Sequence, residues 1–163
     1  RTTMWLSFNS QTMTDLERVF SYAFKSKFTP GYFKPNPHLI DGEFVIGDLK
    51  ITPFVQEHGK MGSLGFLFEQ GPNKKLAYYN DCKRVSPIAI NAALGVDLAI
   101  IDALRPAEHH SHMALDEALT TARRISAKET LLTHLTDFYD HDRDSSDLPD
   151  TVLFAFDGLK RSL

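Results

Sequence analysis

The sequence contains a single cysteine, Cys82, among its 163 residues. One thiol excludes an internal disulfide and any zinc site that is built from a cluster of cysteines. Because disulfides persist in oxidising compartments, this composition favours the reducing cytoplasm. The chain begins at Arg1, with no initiator methionine and no signal-peptide pattern, so we expect this start to be a cut rather than a natural beginning.

Long apolar runs are also missing. A membrane-spanning helix needs roughly 18 consecutive apolar residues. The longest candidate, residues 96–103, is much shorter and is interrupted by Asp97 and Asp102. We therefore expect no membrane-spanning segment in this chain.

Positive charge is not in excess, since 18 Lys and Arg residues stand against 21 Asp and Glu residues, for a net charge of −3. This balance offers no basic surface for nonspecific binding of nucleic acid or membranes, so nucleic acid is not an expected partner.

Neither a glycine-rich phosphate loop nor a G-x-S-x-G motif is present. With 42% hydrophobic and 24% charged residues, the composition is typical of one globular domain.

The first part of the chain predicts one helix and a connector. Thr12 and Asp15 resemble a capping box, the pattern that begins many helices. The residues that follow at helical spacing form one apolar face, which we expect in the core: Leu16, Val19, Phe20, Ala23 and Phe24. Proline and glycine interrupt residues 25–39, which predicts a connector without regular structure.

Residues 44–79 are typical of β structure. Short runs of β-branched and aromatic residues predict strands at 44–46, 49–55, 64–68 and 76–79. Gly71, Pro72 and Asn73 form a turn signal between the last two, which predicts a hairpin. Pro53 lies inside the second run and indicates an edge or a bulge, because proline lacks the N–H that a central strand donates.

After Val85, the sequence pattern changes and predicts alternating helices and strands. A short helix is predicted at 88–94, followed by a strand at 97–102, a long helix from Leu115 to Ile125, a strand at 130–133 and a last strand at 152–156. Strand, helix and strand of these lengths predict a βαβ unit with parallel strands. The predicted fold class is therefore α/β, with a hairpin-rich β region followed by a βαβ unit.

Four residues with reactive side chains lie at or near the ends of predicted strands: His58, Asp81, His112 and His134. Sheets of α/β proteins gather ligands and catalytic groups at such ends. Imidazole and carboxylate groups together suit zinc, manganese or iron. The alternative for each histidine is an ordinary solvated surface residue, and we interpret His38 and His141 in that way.

Several nearby features favour structural interpretations. His110 and His112 do not belong to an H-x-H-x-D-H metal motif, because Ala114 and Leu115 stand where that motif requires Asp and His. Cys82 fits a buried structural cysteine better than a metal ligand. The acidic residues between 137 and 150 fit a solvated face better than an ion site.

The order of these motifs resembles a known family. It runs from His58-Gly59 through Ser-Leu-Gly-Phe at 63–66, Asp81 and Leu-Ala-Ile-Ile-Asp-Ala-Leu at 98–104 to His-x-Ser-His at 109–112. Leu-Leu-Thr-His at 131–134 and Phe-Asp-Gly-Leu at 156–159 complete it. From about Thr12 to its end, the chain resembles the C-terminal part of a metallo-β-lactamase-fold hydrolase, with an αββα architecture. It is most similar to the phosphodiesterase branch typified by phosphoribosyl cyclic phosphate phosphodiesterase.

This resemblance implies specific roles. His58 resembles the third metal-binding motif of the family, and His134 resembles the fifth. Asp81 resembles the fourth motif, whose carboxylate bridges two divalent ions, zinc or manganese. His112 matches an additional active-site histidine that contacts the scissile phosphate or the leaving group. The implied activity is a dinuclear-metal phosphodiesterase acting on a small phosphate ester.

The chain also departs from the family pattern, because the H-x-H-x-D-H motif, which supplies most of the metal ligands, is absent. We therefore interpret residues 1–163 as the C-terminal part of a single domain. The expected partner is the N-terminal half of the same domain or another chain. One alternative is a truncated or separate half-fold with a structural role and no activity of its own. A tRNA-processing relative is a further alternative, which the negative net charge disfavours.

Overall fold

The computed structural model describes residues 4–24 and 34–163, which belong to two compact units, Arg1–Glu43 and Phe44–Leu163. In the first unit, two strands form a small parallel sheet. The elements of this unit are strand β1 (Met4–Phe8), helix α1 (Ser10–Val19), helix α2 (Ser21–Phe24) and strand β2 (Pro35–Leu39).

Helix α1 begins earlier than the sequence predicts. Its N-cap is Asn9, whose side-chain oxygen accepts a hydrogen bond from the Thr12 N–H at 2.8 Å. The Asn9 amide oxygen therefore satisfies one of the free N–H groups at the helix start, which is the usual role of an N-cap. Thr12 lies inside the helix, so the predicted capping box at Thr12 and Asp15 is wrong.

Two other predictions for this unit are also wrong. The apolar face expected in the core is not buried, since Val19 and Phe20 are 57% and 43% exposed and α1 contains no buried residue. Residues 25–33 of the predicted connector lie outside the described residues, but Pro35–Leu39 is a strand. Its prolines are tolerated because β2 pairs on one side only within the two-stranded sheet.

The second unit contains a seven-stranded sheet with strands in the order β3-β4-β5-β6-β7-β8-β9. These strands are β3 (Phe44–Ile46), β4 (Leu49–Gln56), β5 (Ser63–Gln70), β6 (Lys74–Tyr79), β7 (Leu98–Asp102), β8 (Glu129–Thr133) and β9 (Val152–Phe154). The helices are α3 (Pro87–Ala92), α4 (Leu115–Ile125) and α5 (His141–Asp144), with a 3₁₀ turn at Ser145–Asp147. All the predicted strands and both predicted helices of this region are confirmed within a few residues.

The direction of the strands fixes where the functional groups meet. Strands β3 to β6 pair antiparallel, whereas β6, β7, β8 and β9 pair parallel. The predicted hairpin and βαβ unit are therefore confirmed. Since β4 and β6 are both antiparallel to β5, they run in the same direction. The carboxyl ends of β4, β6, β7 and β8 consequently lie along one edge of the sheet.

The core lies between the sheet and the helices α3 and α4. It includes Tyr79, Ile101 and Leu132 from the sheet, together with Ile90 and Ile125 from the helices. Each of these side chains is less than 4% exposed. The apolar stripe of α4 thus packs on one face of the sheet, and this packing holds the loops at the carboxyl edge in place.

Gly65 shows how tightly this region is packed. A Cβ at residue 65 would lie 2.5 Å from Gln56 Nε2 and 2.6 Å from Tyr79 Cδ1, so no larger residue fits there without rearrangement. Pro53 pairs with Phe66 of β5, and β3 extends only as far as Ile51 on the other side of β4. The edge position predicted for Pro53 is therefore confirmed.

In the part of the chain that the structure describes, none of the helices is long and apolar enough to cross a membrane.

Candidate functional site

Two of the site residues have an unusual backbone conformation. Asp81 follows strand β6 with φ +56°, and His134 follows strand β8 with φ +64°. Residues other than glycine rarely occupy this left-handed region, and those that do are concentrated at functional sites. Both side chains are brought to the carboxyl edge of the sheet by this turn of the backbone.

The Asp81 carboxylate lies at the centre of three histidines. Its Oδ1 atom is 3.1 Å from His58 Nε2, 3.7 Å from His112 Nδ1 and 3.9 Å from His134 Nε2. The rings of His112 and His134 stack with centroids 4.8 Å apart. The structure therefore brings together all four residues that the sequence singles out.

His112 is held by a second carboxylate, that of Asp102. The Nδ1–H of His112 donates a hydrogen bond to Asp102 Oδ2 at 2.9 Å. Asp102 is fully buried, and the His112 side chain is only 12% exposed. With Nδ1 engaged in this way, the other ring nitrogen, Nε2, is directed towards His58 Nε2 at 3.4 Å.

Asp102 also ties the surrounding loops together. Its Oδ2 accepts a hydrogen bond from the Cys82 N–H at 3.0 Å, and its Oδ1 accepts one from the Leu104 N–H at 3.1 Å. The Met113 N–H in turn donates to the Cys82 carbonyl oxygen at 3.0 Å. The segments that carry Asp81 and His112 are thus joined through a buried carboxylate and a backbone hydrogen bond.

Burial and charge also affect two neighbouring groups. Burial raises the pKa of the Cys82 thiol, and the nearby carboxylates of Asp102 and Asp81 raise it further. Cys82 is fully buried, which confirms the structural interpretation of this residue. Partial burial lowers the pKa of His109, and the neighbouring His110 and His112 lower it further.

The donor set fits a divalent metal ion. One ligand atom each from Asp81, Asp102, His112 and His134 can be chosen so that all four lie within 4.8 Å of one another. Two ligands that each lie about 2.1 Å from a tetrahedral zinc ion are roughly 3.4 Å apart. The distances of 3.1 and 3.9 Å from Asp81 to His58 and His134 are close to that value.

Asp102 is the site residue that the sequence analysis missed. From the sequence, Asp102 is the end of the apolar strand at 97–102 and part of the motif at 98–104, with no role of its own. Its signal is the same as that of the other four, since it is a reactive side chain at the carboxyl end of a strand. Burying a carboxylate at the end of an otherwise apolar strand costs free energy unless the group is paired. A buried carboxylate at such a position is therefore a candidate for a functional role.

The sequence is similar to a known protein family and to a curated protein. Residues 1–135 match the model of the beta-lactamase superfamily domain. The octanoyltransferase of Porphyromonas gingivalis (strain ATCC BAA-308 / W83) is 28% identical over 122 residues, which is 74% of this chain and 24% of that protein. This chain therefore spans about a quarter of the curated relative that it matches.

Solved structures share the fold. A diphosphatase from the PhnP family is 25% identical, with a TM-score of 0.86, and the match covers 100% of this chain and 60% of that one. Zinc-bound PqqB from Methylobacterium extorquens is 16% identical, with a TM-score of 0.74 over 99% of this chain and 66% of that one. The predicted metallo-β-lactamase fold is confirmed by these neighbours. Since the family model matches most of its length, the chain belongs to the β-lactamase superfamily of metallo-hydrolases.

Proposed function

We propose that this chain supplies part of the active site of a dinuclear-metal phosphodiesterase that acts on a small phosphate ester. In this proposal His58, Asp81 and His134 would hold two divalent ions, zinc or manganese, and the Asp81 carboxylate would be shared between them. The observation that carries it is the position of Asp81 Oδ1, which lies within 3.9 Å of a ring nitrogen of three histidines. A carboxylate in that position can bind two cations at once.

When bound, a pair of divalent ions supplies an activated water and neutralises the charge that develops on the phosphoryl oxygens. The residues of the chain supply the rest. His112 stands apart from the ligands, because its Nδ1–H is directed to Asp102. Its Nε2, which lies 3.4 Å from His58 Nε2, is the atom that would carry a proton to the oxygen of the leaving group. Asp102 fixes the tautomer of this ring and stabilises the imidazolium form before the proton is given up.

Two findings support a phosphate ester as the substrate class. The diphosphatase from the PhnP family, which acts on phosphate groups, has the same fold over the full length of this chain. In addition, a ring nitrogen of each of His58, His112 and His134 lies within 3.9 Å of one carboxylate oxygen. A cluster of polar side chains that can hold metal ions suits a small anionic group better than an apolar one.

The remaining metal ligands would come from another part of the same polypeptide or from another chain. One face of the large sheet supports such a partner. The pairing register places Phe66, Tyr78, Ile100, Leu131 and Leu153 in one row across five strands. Tyr78 and Leu153 are 37% and 39% exposed, so this row leaves apolar surface open for a second layer. We expect the 163-residue chain to associate in sedimentation experiments, and a monodisperse monomer would contradict this.

The proposed setting for this activity is the cytoplasm. It is supported by the single cysteine, which is buried and reduced, in a chain that has no second thiol with which to form an internal disulfide.

The test of the proposal is hydrolysis of bis(p-nitrophenyl) phosphate by the full-length protein. We expect two equivalents of zinc or manganese by elemental analysis, turnover that a chelator abolishes, and recovery when the metal is restored. Turnover that persists after complete removal of metal would contradict the mechanism. A metal-loaded protein without turnover on any phosphodiester would favour the alternative of a half-fold with a structural role.

A further inference from the structure

Lys83 is a buried lysine that touches two of the segments that carry the site. It lies two residues after Asp81, and its side chain is only 7% exposed. Its backbone N–H donates a hydrogen bond of 2.6 Å to the carbonyl oxygen of Glu57, the residue before His58. Glu57 also forms an isolated bridge with Arg84. The loops that carry His58 and Asp81 are therefore joined at Lys83.

The side chain of Lys83 extends in the other direction, to helix α4. Its Nζ atom donates a hydrogen bond of 2.7 Å to Glu117 Oε2. The same oxygen accepts a hydrogen bond of 2.9 Å from the Ala114 N–H, which is at the start of α4 and two residues after His112. Glu117 thus holds the end of the loop that carries His112.

The charge state of Glu117 agrees with this arrangement. Burial raises the pKa of its carboxyl group, but the Ala114 N–H and the Lys83 ammonium more than offset that effect, so the pKa lies below its usual value. The carboxylate is therefore ionised at neutral pH when it pairs with the Lys83 side chain.

From these contacts we propose that Lys83 and Glu117 form a positioning pair, which fixes Asp81 and His58 at their distances from His112. The effect of this pair on catalysis rests on the proposed phosphodiesterase function. Its effect on the geometry of the histidines does not.

Stability alone does not account for the pair. The side chains of Lys83 and Glu117 are 7% and 32% exposed, so the lysine charge is largely removed from water, and replacing a buried ion pair by apolar residues of similar size is often neutral or stabilising. Val85 and Met113 are buried apolar residues that adjoin the two segments, so an apolar contact is compatible with this environment. The ion pair adds a contact of fixed length and direction between the loop after strand β6 and the start of helix α4. A displacement of about 1 Å at a catalytic group can reduce the rate by roughly 10²-fold.

The variant that tests this proposal is Lys83→Met, which keeps most of the side-chain volume and removes the charge. Imidazole ¹⁵N resonances of the metal-free, full-length protein report on His58 and His112 directly. We expect both sets of resonances to move in the variant, while those of the exposed His141 stay in place. In the metal-loaded enzyme, kcat should fall by roughly tenfold or more with KM little changed, as for a group that acts in the transition state.

The matched control is Lys75→Met. Lys75 also forms an ion pair, 2.8 Å from Glu69 Oε1, but it lies at the start of β6, the opposite end of that strand from Asp81. We expect this variant to leave the resonances of His58 and His112 unchanged. Lys83→Arg, which retains the charge, should restore a large part of the wild-type spectrum and of kcat.

A lower melting temperature for Lys83→Met, with unchanged resonances of His58 and His112, would overturn the proposal and leave Lys83 as a stabilising residue only. If Lys83→Met does not fold, Glu117→Gln provides the same readout, because the amide keeps an oxygen for the Ala114 N–H and loses only the charge. A wild-type protein without hydrolytic activity would refute the proposed function, yet the resonances would still decide whether the pair positions the histidines.

Discussion

Asp102 and His112 form a buried carboxylate–imidazole pair, with Asp102 Oδ2 2.9 Å from His112 Nδ1. Asp102 is fully buried, and it also accepts hydrogen bonds from the N–H groups of Cys82 and Leu104. Three donors therefore satisfy a carboxylate that would otherwise be costly to bury. The pair gives His112 one tautomer and one orientation, which separates its role from that of the proposed metal ligands.

We expect Asp102→Asn to lower the activity of the full-length enzyme by roughly 10- to 100-fold, the usual effect of removing a partner that orients a functional histidine. The asparagine keeps the size of the side chain, but its NH₂ group cannot accept the hydrogen bonds that Asp102 accepts. We also expect a loss of stability of about 1–3 kcal/mol, because a buried donor is left without a partner. Steady-state kinetics and urea denaturation measure the two effects.

The control for this variant is Asp97→Asn. Asp97 precedes the same strand, β7, at its other end, where it accepts hydrogen bonds from the Lys75 N–H and the Lys128 side chain. This variant should lower stability without a specific loss of kcat. Equal losses of kcat in the two variants would show that Asp102 has no special relationship with His112.

His112 and Asp81 should behave differently when each is replaced by alanine. His112→Ala should lower kcat by roughly 10²–10⁴-fold, the usual range for general acid catalysis, and leave the metal content near that of the wild type. Asp81→Ala should lose metal and activity together, because in the proposed function its carboxylate would be shared by the two ions.

Elemental analysis and a phosphodiesterase assay of both variants, with His141→Ala as the control, distinguish these outcomes. The structure disfavours a role for His112 as the cap of helix α4, because the N-cap residue is Ala114, whose N–H donates a hydrogen bond to Glu117. A His112→Ala enzyme that keeps its turnover, or that is purified without metal, would show that we have assigned the wrong role to this histidine.

The sequence predicts the second unit better than the first, for physical reasons. The strands and helix from Leu98 to Thr133 have clear periodicity, because their apolar residues face one core. The first helix has apolar residues at the correct spacing, but it ends at Val19, and nothing in the spacing shows where it ends. In the connector, the prolines indicate an irregular segment, although a strand of a two-stranded sheet tolerates them.

The candidate site could be predicted in part. His58, Asp81 and His134 could be identified because each follows a strand, and strand direction brings such ends together. His112 lies in the loop between strand β7 and helix α4, close to the start of that helix. Asp102 does not stand out in the sequence, because it belongs to a strand that is otherwise apolar. The Lys83–Glu117 contact joins residues 34 positions apart in sequence, and no local pattern indicates it.

The thiol of Cys82 should be unreactive in the native protein. Burial raises its pKa, the neighbouring carboxylates of Asp102 and Asp81 raise it further, and its Sγ is 3.5 Å from the carbonyl oxygen of Tyr79. Since the thiolate is the reactive form, we expect no labelling of Cys82 by a thiol reagent near neutral pH and complete labelling in guanidinium chloride. Peptide mass spectrometry locates the label. Rapid modification of the folded protein at Cys82 would contradict the burial of this residue.

The stabilising effect of Glu117 should depend on pH in a defined direction. Its pKa in the folded protein lies below the ordinary value of 4.5, because the Ala114 N–H and Lys83 more than offset the effect of burial. A carboxyl group with a lowered pKa stabilises the folded state above its unfolded pKa, and this contribution is lost as the pH falls through the folded pKa. The contribution should be on the order of 1 kcal/mol, because the side chain is partly solvated.

We therefore expect Glu117→Gln to be less stable than the wild type at about pH 7, and this difference in the free energy of unfolding to shrink as the pH falls below about 4.5. Urea denaturation of the metal-free protein at several pH values measures it. The exposed Glu108→Gln serves as the control and should show little difference from the wild type at any pH. A difference for Glu117→Gln that is constant with pH, or that grows in acid, would show that the charge of Glu117 does not stabilise the fold.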